Sequence, residues 1–199
     1  MAGRDEAITA KEEARRRLAE VTVQRTNTSR VISDVNQIAM AWAQEHAGER
    51  LGTKWYDGET SMEPSEKWPV SELVRLAIRK IMTEAFSKET SMSELTESIR
   101  AASGFTKEQS RTVAETEGSL AMCHGNLAAW KRTGIVKSIK WRKSSLHKGR
   151  DVCDLNANAG SIPLGQAFPS GDEVPPAHIG CCCCPCIAEL NEPKRTNSV

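Results

Sequence analysis

Aromatic side chains are scarce in this chain: they make up 5% of its 199 residues, with one tyrosine and three phenylalanines. The core is therefore expected to be built mainly from Leu, Ile, Val, Ala and Met in helical periods. Long apolar runs are missing as well. No stretch approaches the roughly 20 apolar residues that span a bilayer, and the charged N-terminal segment lacks the apolar centre of a signal peptide. Synthesis in a cytoplasm and no membrane partner are the expectation. Net charge is nearly absent, at +1, so charge as a whole names no partner and its distribution has to be read instead. No two glycines stand at the spacing of a P-loop or a dinucleotide fingerprint with its companion residues, which removes those phosphate-cradling chemistries. Internal repeats are lacking too.

What is present is ordinary for a globular protein. With 39% hydrophobic and 27% charged residues, the chain has enough apolar mass for one domain plus an extension, or for two small domains. Residues 1–48 read as an N-terminal helical extension, with Ala7, Ala14, Leu18 and Val21, then Val31, Val35, Ile38 and Trp42, at spacings of three, four and seven. The β-branched and small polar run from Val21 to Ser29 predicts two helices or a bend. The charged cluster Glu12, Glu13, Arg15, Arg16, Arg17 reads as a solvated face. Residues 49–69 mix Gly52, Gly58 and Pro64 with Trp55, Tyr56 and Trp68, a linker with aromatic anchors and the best place for a domain boundary.

From Val70 the pattern is stricter. Val70, Leu73, Val74, Ala77, Ile78, Ile81, Met82, Ala85 and Phe86 follow one helical face, with Pro69 pre-setting the first turn. Ser91-x-x-Glu94 and Thr106-x-x-Gln109 are capping-box patterns that announce two further helices, ended by Gly104 and Gly134. The last carries the stripe Val113, Thr116, Leu120, Cys123, Leu127 and Trp130. These three helices, within 70–134, should pack together. After Gly134 the alternation of Ile139 and Trp141 with Lys140 and Arg142 reads as a half-buried strand. The Gly, Pro, Asn and Ser beyond it, up to Pro176, predict short hairpins held by something other than a large core. Residues 135–190 thus form a small β and loop module, and 191–199 a tail expected to be flexible. The fold class is α+β, mainly α.

The cysteines are the obvious staple for that module. Six of the seven lie between Cys153 and Cys186, and Cys181 to Cys184 are consecutive. Disulfide frameworks space their cysteines because each bridge closes a loop of workable geometry, so a reducing compartment and a metal site suit this cluster better. Zinc takes four tetrahedral thiolate or imidazole ligands. In an extended backbone Cys181 and Cys183 point one way, and Cys182 and Cys184 the other. His178, Cys181 and Cys183 can therefore reach one ion, directly after the stiff Pro175-Pro176. Cys153 is the first choice for the fourth ligand and Cys186 the second. Cys123, inside a helical stripe, reads as a packing residue, and His46, His124 and His147 as surface or packing residues.

These residues stand in a telling order: Thr116-Glu117 on a helix, the Gly134 turn, a strand through Trp141, Asp151-Val-Cys153, Gly160, then Pro175-Pro176-Ala-His178-x-x-Cys181-x-Cys183. The order resembles the signature of the Phage Mu F-like minor head proteins, whose typical ending reads Pro-Pro-x-His-x-x-Cys-Arg-Cys. It covers roughly residues 70–190, including the two short helices before the Thr-Glu helix. The resemblance implies a Mu F-like domain in a minor head protein of a tailed phage. Such a protein sits at the portal vertex of the virion, has the portal and other head components as partners, and acts in head morphogenesis and in DNA packaging or ejection. It implies no catalysis and no small-molecule substrate. Two departures stand out. Cys182 occupies the Arg place, removing a charge that would support a carboxylate such as Glu117. Asn156 stands where many relatives carry a second Cys or a His.

Charge is concentrated between Glu117 and Asp151, where no acidic residue occurs. Lys131, Arg132, Lys137, Lys140, Arg142, Lys143, Lys148 and Arg150 all fall there, interleaved with Trp130 and Trp141. Such a stripe suits DNA phosphates or an acidic portal surface, and a zinc-containing nucleic-acid-binding module is the alternative function. A toxin-like or hydrolytic enzyme is a third reading. Its motifs are incomplete, because neither His124 nor His178 is followed by Glu two residues on and Pro185-Cys186 lacks the second Cys of a zinc deaminase.

Overall fold

The computed structural model describes residues 33–57, 61–147 and 151–191. The chain divides into two compact units, Met1–Asp34 and Val35–Val199, and nearly all of the described residues belong to the second. The expected helix through Ala7, Ala14, Leu18 and Val21, the bend before residue 30 and the tail after Asn191 lie outside the described residues.

Residues 33–46 form helix α1, followed by a 3-10 turn, Lys54–Asp57, and then α2 (Glu72–Lys88), α3 (Met92–Ser103) and α4 (Lys107–Thr133). The second half holds β1 (Val136–Arg142), α5 (Val152–Asn158), β2 (Ser161–Pro163) and β3 (Cys184–Leu190). The architecture is α+β, mainly helical, with a single three-stranded antiparallel sheet among the described residues, in the order β2-β1-β3.

The helix starts and stops obey their local signals. Ser91 with Glu94 and Thr106 with Gln109 make reciprocal capping boxes, each satisfying two N–H groups that a helix start leaves unpaired. Gly104 and Gly134 close the two helices in the left-handed conformation. Helix α2 starts slightly later than its apolar pattern suggests. Ser71, not Pro69, sets its start as the cap, and its hydroxyl accepts from the Val74 N–H. The α2 stripe is only partly used: Ile78 and Met82 are buried, whereas Leu73 is 78% exposed.

Helix α1 buries Ala39 and Ala43, and Ala47 just beyond its end, rather than the larger Ile38 and Trp42, which lie half-buried at its side. Small residues let its backbone run close to α4. At Gly125 an added Cβ would stand 2.8 Å from the Val35 carbonyl oxygen, so the crossing requires glycine. Residues 49–57 do not act as a spacer between domains. Leu51, Trp55 and Tyr56 sit in the same core as Ile78, Met82, Ile99 and Val113. Each such side chain contributes roughly 1.5–3 kcal/mol by leaving water.

Glu117 is the one acid in that core, 1% exposed. Its carboxylate accepts from the Tyr56 hydroxyl at 2.7 Å and the Gly48 N–H at 3.1 Å. Burial pushes its pKa up while these two bonds pull it back. Burial, and then the carboxylate itself, pushes the Tyr56 phenol well above its ordinary value. Its neighbour Thr116 reaches the C-terminal module, where its hydroxyl accepts from the Gly180 N–H at 3.2 Å.

Helix α4 serves both halves. Val113, Ala114, Leu120 and Ala121 face the helical core, whereas Cys123 and Leu127 enter a second core with Val136, Ile139, Trp141 and Phe168. In β1 the alternation holds: Ile139 and Trp141 are buried, and Lys140 and Arg142 are exposed. Trp141 meets Phe168 edge-on at 5.1 Å between ring centroids. The region after β1 is not hairpins alone. Helix α5 forms there because Asp151 and Asp154 make a reciprocal cap, an Asp-x-x-Asp version of the capping box.

Candidate metal centre

Three pieces of chain supply the centre. The first is the loop after β1, which carries His147. The second is the start of α5, where the Asp151 cap sets the direction of Cys153: the Cys153 N–H donates to Asp151 Oδ1 at 2.8 Å. The third is the segment before β3, which brings His178, Cys181 and Cys183. Cys181 and Cys183 are buried while Cys182 and Cys184 are exposed, the alternation expected of an extended backbone. The described cysteines, all seven, are free thiols.

Two groups of donor atoms result, and in each every ligand atom lies within 4.8 Å of every other. Cys153, Cys181 and Cys183 make one group; His147, Asp151, Cys153 and His178 make the other. Each is close enough to hold a metal ion. Cys153 belongs to both. The Cys153 and Cys181 sulfurs are 3.4 Å apart, within hydrogen-bond distance. Cys181 ionises first: the Cys153 thiol, and after it the His178 imidazole, hold it down at about 4. Cys153 is pushed far up in turn by its bond to Cys181 and by burial. Burial raises Cys183 as well, and so does the charge on Cys181.

His178 is fixed through its other ring nitrogen. Nδ1 stands 2.9 Å from the Ile179 carbonyl oxygen, a partner that accepts only, so Nδ1 carries the hydrogen and Nε2 faces the cluster. That Nε2 is buried and has no hydrogen bond, although Asp151 Oδ2 lies 3.3 Å away. A buried polar atom left in this way is costly in a closed protein and natural in a metal ligand. The Cys181 sulfur beside it raises the imidazole pKa to about 9.

Of the residues read from the sequence, Cys153, His178, Cys181 and Cys183 are thus brought together, though distributed over the two groups. Cys186 lies elsewhere, half-exposed on β3 with its sulfur 4.0 Å from that of Cys184. His147 and Asp151 are donors that the sequence does not announce as such. Asp151 has a signal in its place directly before Val-Cys153. His147 has none, since a lone histidine in a polar loop more often packs or faces solvent. Its side chain is 7% exposed, with Nε2 3.6 Å from Asp151 and 3.3 Å from Asp154.

Asn156 is engaged in the fold. It is fully buried, accepts the Ser170 N–H at 3.0 Å and donates to the Ser170 hydroxyl at 2.8 Å. The basic stripe is partly neutralised: Lys131 pairs with Glu173, Lys137 with Glu189 and Lys143 with Asp154. Lys140 and Arg142 face solvent on β1 opposite Cys186 and Cys184. Arg132 lies in the last turn of α4, and Lys148 and Arg150 lie outside the described residues. No helix among the described residues is long and apolar enough to cross a membrane.

Compared with protein-family models, curated proteins and solved structures, the chain matches none.

Proposed function

We propose that this chain is a minor head protein of a tailed phage, of the Mu F-like kind, in which zinc staples the C-terminal module. One observation carries the reading. The segment whose motif resembles the family's ending, Pro175 to Cys183, also brings two buried thiols and an imidazole against Cys153 from a helix more than twenty residues earlier. Zinc suits the donors, since soft thiolates joined by a neutral imidazole are its usual structural ligands. Cys153, Cys181 and Cys183 supply the thiolates and His178 Nε2 the nitrogen.

In this reading the module's task is mechanical. It fixes the end of α4 and the sheet, and presents the helical half to the portal and other head components at the portal vertex of the virion, during morphogenesis and DNA packaging or ejection. The reading assigns the chain no catalysis, and the buried acid Glu117, with both oxygens engaged by Tyr56 and Gly48, is taken as part of the core. A free nucleic-acid-binding role draws less support, with Lys131, Lys137 and Lys143 each committed to a carboxylate.

The test is co-expression of the full chain with the portal protein of the same phage. The chain should co-purify with the portal ring, carry zinc, and show no salt-dependent affinity for DNA. A zinc-free chain would sink the metal part. A chain that ignores the portal but binds duplex DNA with a steep salt dependence would replace the assembly role with the nucleic-acid one.

A further inference from the structure

The donor atoms around Cys153 are more numerous than one tetrahedral ion uses. Six side chains contribute: Cys153, Cys181, Cys183, His147, Asp151 and His178. They do not form one sphere, and Cys153 is the only member common to both groups. We infer that the centre takes two divalent soft-to-borderline cations of the zinc class, bridged by the Cys153 thiolate. With both bound, one is held by Cys153, Cys181 and Cys183, with solvent in its fourth position; the other by His147, Asp151, His178 and the shared Cys153. The inference rests on the reading of the cluster as a metal centre and extends it.

Geometry supports the second position. Asp151 stands between the two imidazoles, with Oδ1 3.6 Å from His147 Nε2 and Oδ2 3.3 Å from His178 Nε2. Its neighbour Asp154 is already engaged, accepting from Lys143 Nζ and from the Asp151 N–H. Asp151 caps α5 through Oδ1, which accepts the Cys153 N–H, and turns Oδ2 to His178 inside the cluster. A thiolate sulfur has enough lone pairs to bind both.

The test is metal stoichiometry on the full chain. Protein expressed with supplementary zinc and desalted should carry two zinc ions per chain, and His147→Ala should carry one. Should that variant fold poorly by far-UV circular dichroism, the wild-type chain decides alone. Titrated with cobalt(II), it should bind two equivalents. The second should weaken the paramagnetic resonance signal of the first, because thiolate-bridged ions couple magnetically. One zinc per chain, one cobalt equivalent, or two uncoupled cobalt ions would overturn the inference and leave the single-zinc reading standing. So would a well-folded His147→Ala chain that still carried two ions. No bound metal at all would remove both.

Discussion

The helical half and the sheet module share helix α4 but differ in what holds them. In the first, Ile78, Met82, Ile99, Val113 and Leu120 meet in an apolar core, and the helix ends are satisfied locally by Ser71, Ser91, Thr106, Gly104 and Gly134. In the second, the sheet is three short strands, and Cys153, Cys181 and Cys183 are among the buried residues packed with it. Where apolar side chains are abundant, burial suffices. Where the chain is rich in Gly, Pro and Asn, a bound ion can supply the order that a small core does not.

Metal removal should separate the two halves most sharply. A structural zinc site can supply on the order of 10 kcal/mol of binding free energy that is also folding free energy. Chelation of the full chain should therefore open residues 135–191 to proteolysis and change the near-UV signal of Trp141, with helix content nearly constant. The loss should come more easily at pH 6 than at pH 8. Ligands bind deprotonated, and the metal-free protein holds protons on His178, whose pKa is raised to about 9, and on Cys153, so acid competes with the ion. Equal protection of both halves with and without chelator would erase the comparison.

The helical half has its own polar weak point. Glu117→Ala removes the acceptor for both the Tyr56 hydroxyl and the Gly48 N–H, and leaves them buried. Denaturant unfolding should show a loss of about 3 kcal/mol, with bound metal unchanged. A Glu117→Ala chain that lost its metal would mean that the halves are coupled through α4 more tightly than their cores suggest.

A smaller effect is expected from Asn156→Cys, which creates a Cys-x-x-Cys with Cys153. Asn156 is buried in a bonded pair with Ser170, so the new thiol should add no ligand and cost about 2 kcal/mol. Gain of metal affinity without loss of stability would show that position 156 turns toward the cluster after all.

Much of the fold was legible because its causes are local. Two capping boxes, two stop glycines and a three-four apolar period place α3 and α4 within a residue or two, and the alternation through Ile139 and Trp141 places β1. Legibility failed where the signal was unusual or the partner distant. Asp151-x-x-Asp154 caps α5 without the usual Ser or Thr, and the turn residues around it suggested hairpins. Trp55 and Tyr56 read as anchors in a linker, whereas Tyr56 enters the core, where a carboxylate far along the chain, Glu117, accepts its hydroxyl.

The candidate centre divides in the same way. The amino-acid sequence by itself determined that Cys181 and Cys183 share one side of an extended segment and that His178 stands near them, since backbone pleat and short spacing need no tertiary contact. Only the tertiary structure decided that Cys153 lies 3.4 Å from Cys181, that Asn156 turns to Ser170, and that His147 and Asp151 complete a second set of donors. Those positions depend on how α5 docks beside the sheet, and packing between segments far apart in sequence leaves no periodic trace along the chain.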